Sequence, residues 1–186
     1  MDFLKRKRSE KIASWIGTHL NSGEKVVDIG AGDCFLSHSL QQRCGIEVFP
    51  VDIADYSRTD LKTIIYNGKT LPFPDDYFDS ALVLFVLHYV EDPLTVLREA
   101  QRVAKKRIII LQDICTNRAV AVPTQLWGFL ANLGRHSDRR IPRAVTEAEV
   151  KSYLKALGLK LVAEKRFVDS VSLYLINHQL IVAQKM

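Results

Sequence analysis

Val26-Val27-Asp28-Ile29-Gly30-Ala31-Gly32 joins an apolar run to one carboxylate and two glycines, and Asp52 follows Gly32 by twenty positions. The chemistry available to such residues is nucleotide binding. Val26, Val27 and Ile29 suit a strand buried on both faces of a parallel sheet, and Gly30 and Gly32 allow positive φ and close approach of a ligand. Asp52 then supplies a carboxylate for a ribose diol. His88 is the histidine best placed for proton transfer, with packing as the competing role. Cys34, Cys44 and Cys115 are odd in number and lack a Cys-x-x-Cys pair, so neither a disulfide framework nor a zinc site is expected.

The elements that must position these groups are legible in the spacing. Ile12, Trp15, Ile16 and Leu20 predict an amphipathic helix over 5–20, ended by Asn21-Ser22-Gly23. A strand over 25–29, a helix over 35–43 and a strand over 46–51 follow. Ile64 and Ile65 predict a short third strand, residues 80–85 a fourth, 94–103 a helix and 107–111 a fifth strand. This alternation implies a doubly wound, parallel α/β sheet. Thr146 and Glu149 form a capping-box pattern for a helix over 146–157, stopped by Gly158. Segments 159–167 and 178–184 then read as a hairpin-like antiparallel pair.

The chain has 186 residues, 47% hydrophobic and 25% charged, which suits one α/β domain with an N-terminal helix over 1–22. The longest apolar stretch, 80–90, contains His88 and is too short to span a bilayer, and the N-terminus opens with charge. A cytoplasmic protein without a membrane partner is expected. Much of the net charge of +5 lies in Lys5, Arg6, Lys7, Arg8 and Lys11, read as a solvated helix face. No nucleic-acid module or aromatic platform accompanies it, so no nucleic-acid partner is expected.

Residues 71–79, Leu-Pro-Phe-Pro-Asp-Asp-Tyr-Phe-Asp, are followed by Ser-Ala-Leu-Val-Leu-Phe-Val-Leu-His-Tyr-Val over 80–90 and by Leu-Arg-Glu-Ala-Gln-Arg-Val over 97–103. With the glycine loop, these segments resemble the class I S-adenosylmethionine-dependent methyltransferases of the type 11 methyltransferase-domain group, over nearly the whole chain. The resemblance implies a Rossmann-like, doubly wound seven-stranded sheet, mostly parallel with an antiparallel C-terminal strand. It also implies S-adenosylmethionine as cofactor and S-adenosylhomocysteine as product. Asp28 with Gly30, Ala31 and Gly32 would hold the methionine end of that cofactor, where a Cβ at a glycine would intrude on the ligand. Asp52, with Ile53 beside it, would take both ribose hydroxyls, and Asn67 stands where the family has an aspartate that accepts from the adenine amino group. Gly68 would offer its N–H to the ring, while Leu84 and Phe85 would line the opening over the sulfonium. Cys34 replaces a further glycine of many members.

Methyl transfer from a sulfonium is an in-line displacement, so positioning and water exclusion can supply most of the acceleration and a general base is optional. An Asn/Asp-Pro-Pro-Tyr/Phe motif is absent after residue 83, which argues against adenine N6 or glutamine amide methylation, and no catalytic metal is expected. Residues 115–145 form the expected substrate lid, with Trp127, His136, Arg139 and Arg140 as candidate substrate residues and a packed helix stripe as the alternative. His19, His38 and His178 read as structural or surface residues. The leading expectation is methyl transfer to a small molecule, against a protein or RNA acceptor or a non-catalytic cofactor-binding module. A nicotinamide oxidoreductase is disfavoured because Gly-x-Gly-x-x-Gly fails at Phe35. The oligomeric state is not encoded in any of these features.

Overall fold

Three successive isoleucines at 108–110 place side chains on alternating sides of a strand, so they ask for apolar cover on both faces of a sheet. Both faces are covered. Ile108 and Ile110 lie in one buried cluster with Val27, Ile29, Ala81, Val83 and Ile181, while Ile109 and Leu111 lie in a second with Val26, Leu82, Leu84, Leu180 and Val182. Removing each such branched side chain from water stabilises the fold by about 2 kcal/mol. The structure, a computed structural model, describes residues 2–113, 145–171 and 174–185.

The described elements are α1 (Asp2–Ile16), a 3-10 turn (Gly17–His19), β1 (Lys25–Ile29), α2 (Phe35–Cys44), β2 (Glu47–Asp52), β3 (Ile64–Ile65), β4 (Phe78–Leu84), α3 (Pro93–Val103), β5 (Ala104–Asp113), α4 (Glu147–Ala156), β6 (Leu159–Val171) and β7 (Tyr174–Lys185). They form a seven-stranded sheet of order β3-β2-β1-β4-β5-β7-β6. Strands β1 to β5 run parallel, β7 is antiparallel to β5, and β6 is antiparallel to β7. The expected fold class holds. Helices α1 and α2 bury Ile12, Ala13, Ile16 and Leu40 against one face, and α3 and α4 bury Val96, Leu97, Ala100, Val150 and Leu154 against the other.

Local chemistry sets the ends of these elements. Asp92 caps α3 by accepting the Leu94 N–H at 3.0 Å, with Pro93 as the first helical residue. Thr146 and Glu149 form the capping box of α4. Two boundaries differ from the sequence reading in ways that bear on the site. Helix α1 starts at Asp2 and gives way to the 3-10 turn after Ile16, short of Leu20. Strand β4 ends at Leu84, because Phe85 turns into the left-handed region with φ 59°. The last two strands also run longer than expected, since each pairs with the other almost from end to end.

Residues 71–79, the segment carrying the strongest resemblance, form a clip between β3 and β4. The Arg102 guanidinium donates to the carbonyls of Leu71 at 3.1 Å and Phe73 at 2.8 Å and to Asp75 at 2.8 Å, while Glu99 accepts from the Leu71 N–H at 2.8 Å. Phe73, Tyr77 and Phe78 close an aromatic cluster on Phe49. This segment is architecture: Arg102 and Glu99 of α3 hold its polar groups.

Candidate functional site

In an open parallel sheet, the ends of strands on either side of an order reversal leave a crevice at their carboxyl edge. Here β1 sits between β2 and β4, and the carboxyl ends of all three carry the glycine loop, Asp52 and Phe85. Gly30 and Gly32 take φ of 76° and 56°, as their spacing predicts. A Cβ on Gly30 would stand 2.5 Å from a Val86 methyl, so the close approach there is to the chain after β4. The chain itself therefore excludes a side chain at Gly30, a reason beyond the ligand contact expected from the resemblance. At Gly32 a Cβ would meet nothing within 4 Å, which leaves space beside the loop.

The amides of this loop are already engaged. Gly30 and Ala31 donate to the Val51 carbonyl at 2.7 and 3.2 Å, and Gly32 donates to Asp52 Oδ2 at 2.9 Å. Asp52 Oδ1 accepts from the Ile53 N–H at 2.7 Å, so each carboxylate oxygen keeps one lone-pair direction for a ligand. Burial raises the Asp52 carboxyl above its usual range, against the pull of the two N–H donors. Ile53 is exposed beside it, and its side chain lies 3.3 Å from a Cβ built on Gly68.

Asp28 is buried and accepts from the Ser37 hydroxyl at 2.5 Å, which ties β1 to α2. Burial lifts its pKa to about 6, with the Asp52 charge adding and the Ser37 bond opposing. Asp33, which the sequence reading did not single out, stands before α2, where it accepts from the Phe35 N–H at 3.4 Å. The start of α2 therefore already holds a carboxylate. A pyrophosphate needs free loop amides and an unclaimed helix N-terminus; this loop offers acids instead. Cys34 precedes α2 in a left-handed conformation with φ 59°, and burial raises its thiol pKa.

Asn67 and Gly68 follow β3, and Gly68 has φ 76°. The Asn67 Oδ1 accepts from the N–H groups of Lys69 and Thr70, both at 2.9 Å. Its acceptor is thus spent on the turn. This departs from the acceptor role expected from the resemblance.

Leu84 is buried at the end of β4, and the ring of the half-buried Phe85 meets the His178 ring edge-on at 5.6 Å. A non-glycine residue with φ 59° costs of order 1 kcal/mol, and such strain collects at functional sites. His88 packs on Tyr89 at 4.2 Å between centroids, and its buried Nδ1 has no hydrogen-bond partner among the described residues. Burial lowers its pKa while Asp113 pulls the other way, so the imidazole is held toward its neutral form.

Sequence reasoning missed Asp113 and left His178 as a structural or surface residue. Asp113 ends β5 as Asp28 and Asp52 approach the ends of β1 and β2, so an acid closing an apolar run was the available signal. His178, fully buried on β7, pairs with it through Nδ1–Oδ1 at 2.7 Å. The N-terminal cations are likewise not all a solvated face. Lys5 is bonded to Asp33 at 2.9 Å, Arg6 lies over Phe35 at 4.8 Å and Arg8 over Phe85 at 5.3 Å, so α1 spans the mouth of the crevice. Trp127, His136, Arg139 and Arg140, with nearly all of the expected lid, fall outside the described residues. Among the described residues, no group of three or more His, Cys, Asp or Glu could hold a metal ion. No described helix is long and apolar enough to cross a membrane.

Residues 27–111 match the family model described as a methyltransferase domain. The chain is 25% identical over 170 residues to a phosphatidylethanolamine N-methyltransferase of Cereibacter sphaeroides, covering 81% of this chain and 82% of that protein. It is 34% identical over 100 residues to the ubiquinone/menaquinone biosynthesis C-methyltransferase UbiE of Neisseria meningitidis, covering 47% of this chain and 41% of the other. Several of the curated relatives align with the chain over less than half of their own length. Among solved structures, a methyltransferase of Methanosarcina mazei superposes with a TM-score of 0.72 at 19% identity, covering 92% of this chain and 96% of that one.

Proposed function

Because this chain belongs to the class I S-adenosylmethionine-dependent methyltransferases, in the type 11 group, we propose that it transfers the methyl group of S-adenosylmethionine to a small-molecule acceptor. The observation that carries this reading is the acid-rich loop. With its amides bonded to Val51 and Asp52, and Asp33 at the start of α2, it suits a ligand that brings a ribose and positive charge. A dinucleotide pyrophosphate would meet carboxylates there. The residues present fit the cofactor on this ground, and the open space beside Gly32 leaves room for it.

When bound, the cofactor supplies an electrophilic methyl on a sulfonium. Asp52 would hold the ribose diol through the lone pairs its own N–H donors leave, and Ile53 and Gly68 would lie beside the base. Asp28 fixes the loop from behind through Ser37, with Gly30, Ala31 and Gly32 along the methionine end. Asn67 turns the chain past the base. Leu84 and Phe85 wall the reacting end and exclude water. His88, held neutral by burial, and Asp113, oriented by His178, are the groups available to take a proton from an acceptor that must lose one. Relatives named for phospholipid and quinone methylation support a small-molecule acceptor.

Calorimetry with S-adenosylhomocysteine, S-adenosylmethionine and a nicotinamide dinucleotide tests the cofactor. Binding of the first two and not the third is expected, and the reverse would overturn the reading. Asp52→Ala should weaken S-adenosylhomocysteine binding by about 2–3 kcal/mol, the worth of a charged hydrogen-bonding group, while thermal unfolding stays cooperative. Methyl transfer screened over a metabolite panel then identifies the acceptor class.

A further inference from the structure

Helix α1 presents two different faces. Inward, Ile12, Ala13 and Ile16 are buried, and Lys5 and Arg8 tie the helix to Asp33 of the loop and to Phe85 at the end of β4. Outward, at the spacing of successive turns, stand Phe3, Lys7 and Lys11, with Leu4 beside them. Phe3 is 65% exposed and Leu4 71% exposed, the two largest exposures among the big apolar side chains described. Over residues 2–16 five cations face two acids, and one of the acids, Asp2, is paired with Arg58 at 2.8 Å. Glu10 is the remaining acid and is exposed. Lys7 folds its ammonium over the Phe3 ring at 4.6 Å, the arrangement of a charge seated beside an apolar anchor.

We infer that the outward face of α1 docks on an anionic lipid surface, with Phe3 and Leu4 entering the headgroup boundary and Lys7 and Lys11 meeting the lipid phosphates. A phosphate-rich surface answers the cations, and only one with an apolar layer beneath it answers an exposed leucine and phenylalanine on the same turn. A nucleic acid would answer the charge and leave Leu4 in water. Since Lys5 and Arg8 hold the same helix against the loop and Phe85, docking would set the crevice mouth at the lipid boundary. The sequence led us to expect no membrane partner, and surface docking departs from that expectation; among the described residues no helix is long and apolar enough to cross a membrane. The inference does not depend on the methyl-transfer reading, because its test reads binding alone.

Co-sedimentation of the full chain with phosphatidylcholine vesicles, with and without about a third phosphatidylglycerol, provides that test. Binding at least about tenfold tighter to the anionic vesicles, and weakened by salt, is expected. The pairs Phe3→Ser with Leu4→Ser, and Lys7→Glu with Lys11→Glu, should each lower it by about fivefold or more with the thermal unfolding midpoint unchanged. Equal binding to both vesicles, no binding, or an apolar pair without effect would overturn the inference. So would a labelled RNA that binds while the vesicles do not. Calorimetric binding of S-adenosylhomocysteine, measured on the same samples, keeps a failure of the cofactor reading separate from a failure of docking.

Discussion

Gly30→Ala is the sharpest probe of how the crevice is built. The backbone there has φ 76°, where a Cβ costs about 1–2 kcal/mol. The added methyl would also stand 2.5 Å from Val86 Cγ2 and 3.4 Å from Cγ1, so one contact must open by about 1 Å in a partly packed region. Overpacking of this kind costs about 1–3 kcal/mol. The sum is a loss of roughly 2–5 kcal/mol, shared between folding and, on the proposed reading of this loop, cofactor binding. Urea denaturation of the free protein and calorimetry with S-adenosylhomocysteine measure the two parts. A double-mutant cycle with Val86→Ala separates the causes, since removing both valine methyls relieves the clash and leaves the φ strain. A favourable coupling of about 1–3 kcal/mol between the two substitutions is expected. If the effects simply add, the clash plays no part. If Gly30→Ala matches the wild type in both assays, the account of this turn is wrong.

Asp28 gives a pH signature. Its folded-state pKa, raised by burial to about 6, lies above the unfolded value of 3.8, so its stabilising contribution is complete below about pH 4 and is lost as pH rises through about 6. Relative to Asp28→Asn, the wild type should lose roughly 3 kcal/mol over that window in pH-resolved urea melts, at 1.36 kcal/mol per pKa unit; parallel curves would refute it. Arg102→Ala should destabilise the fold by about 2–4 kcal/mol by orphaning the Leu71 and Phe73 carbonyls and Glu99, and lysine should not restore it, because a point charge cannot reproduce the fork. Equal urea midpoints for Arg102→Lys and wild type would count against that. Asp113→Asn should lower the His88 titration midpoint further in NMR, because it removes the negative charge that opposes the effect of burial. An unchanged midpoint would mean that Asp113 does not act on His88.

The site was readable in parts, and the parts share a physical reason. Asp28, Gly30, Gly32 and Asp52 lie at the ends of apolar runs, where strand period and turn chemistry leave few alternatives. Residues 71–79 carried the resemblance, and in the structure they form a clip whose polar groups are bonded to Arg102 and Glu99 of α3. Asn67 was readable as the residue that follows the third strand, but its hydrogen-bonding role was set by the amides of Lys69 and Thr70. A side-chain amide offers an acceptor and a donor, and only the local turn decides which one is spent.

The sequence by itself determined the alternation of strands and helices, their two-sided burial, the capping of α4 and the glycine loop with an acid at the end of the following strand. These follow from periodicity and from contacts a few residues apart. The tertiary structure decided what depends on distant register. His178 meets Asp113 across sixty-five positions because β7 runs antiparallel to β5, and α1 turns Lys5 and Arg8 inward because Ile12, Ala13 and Ile16 are drawn against the sheet. It also decided that Gly30 makes way for Val86, since closure of β1 on β4 brings together two turns that no local pattern relates.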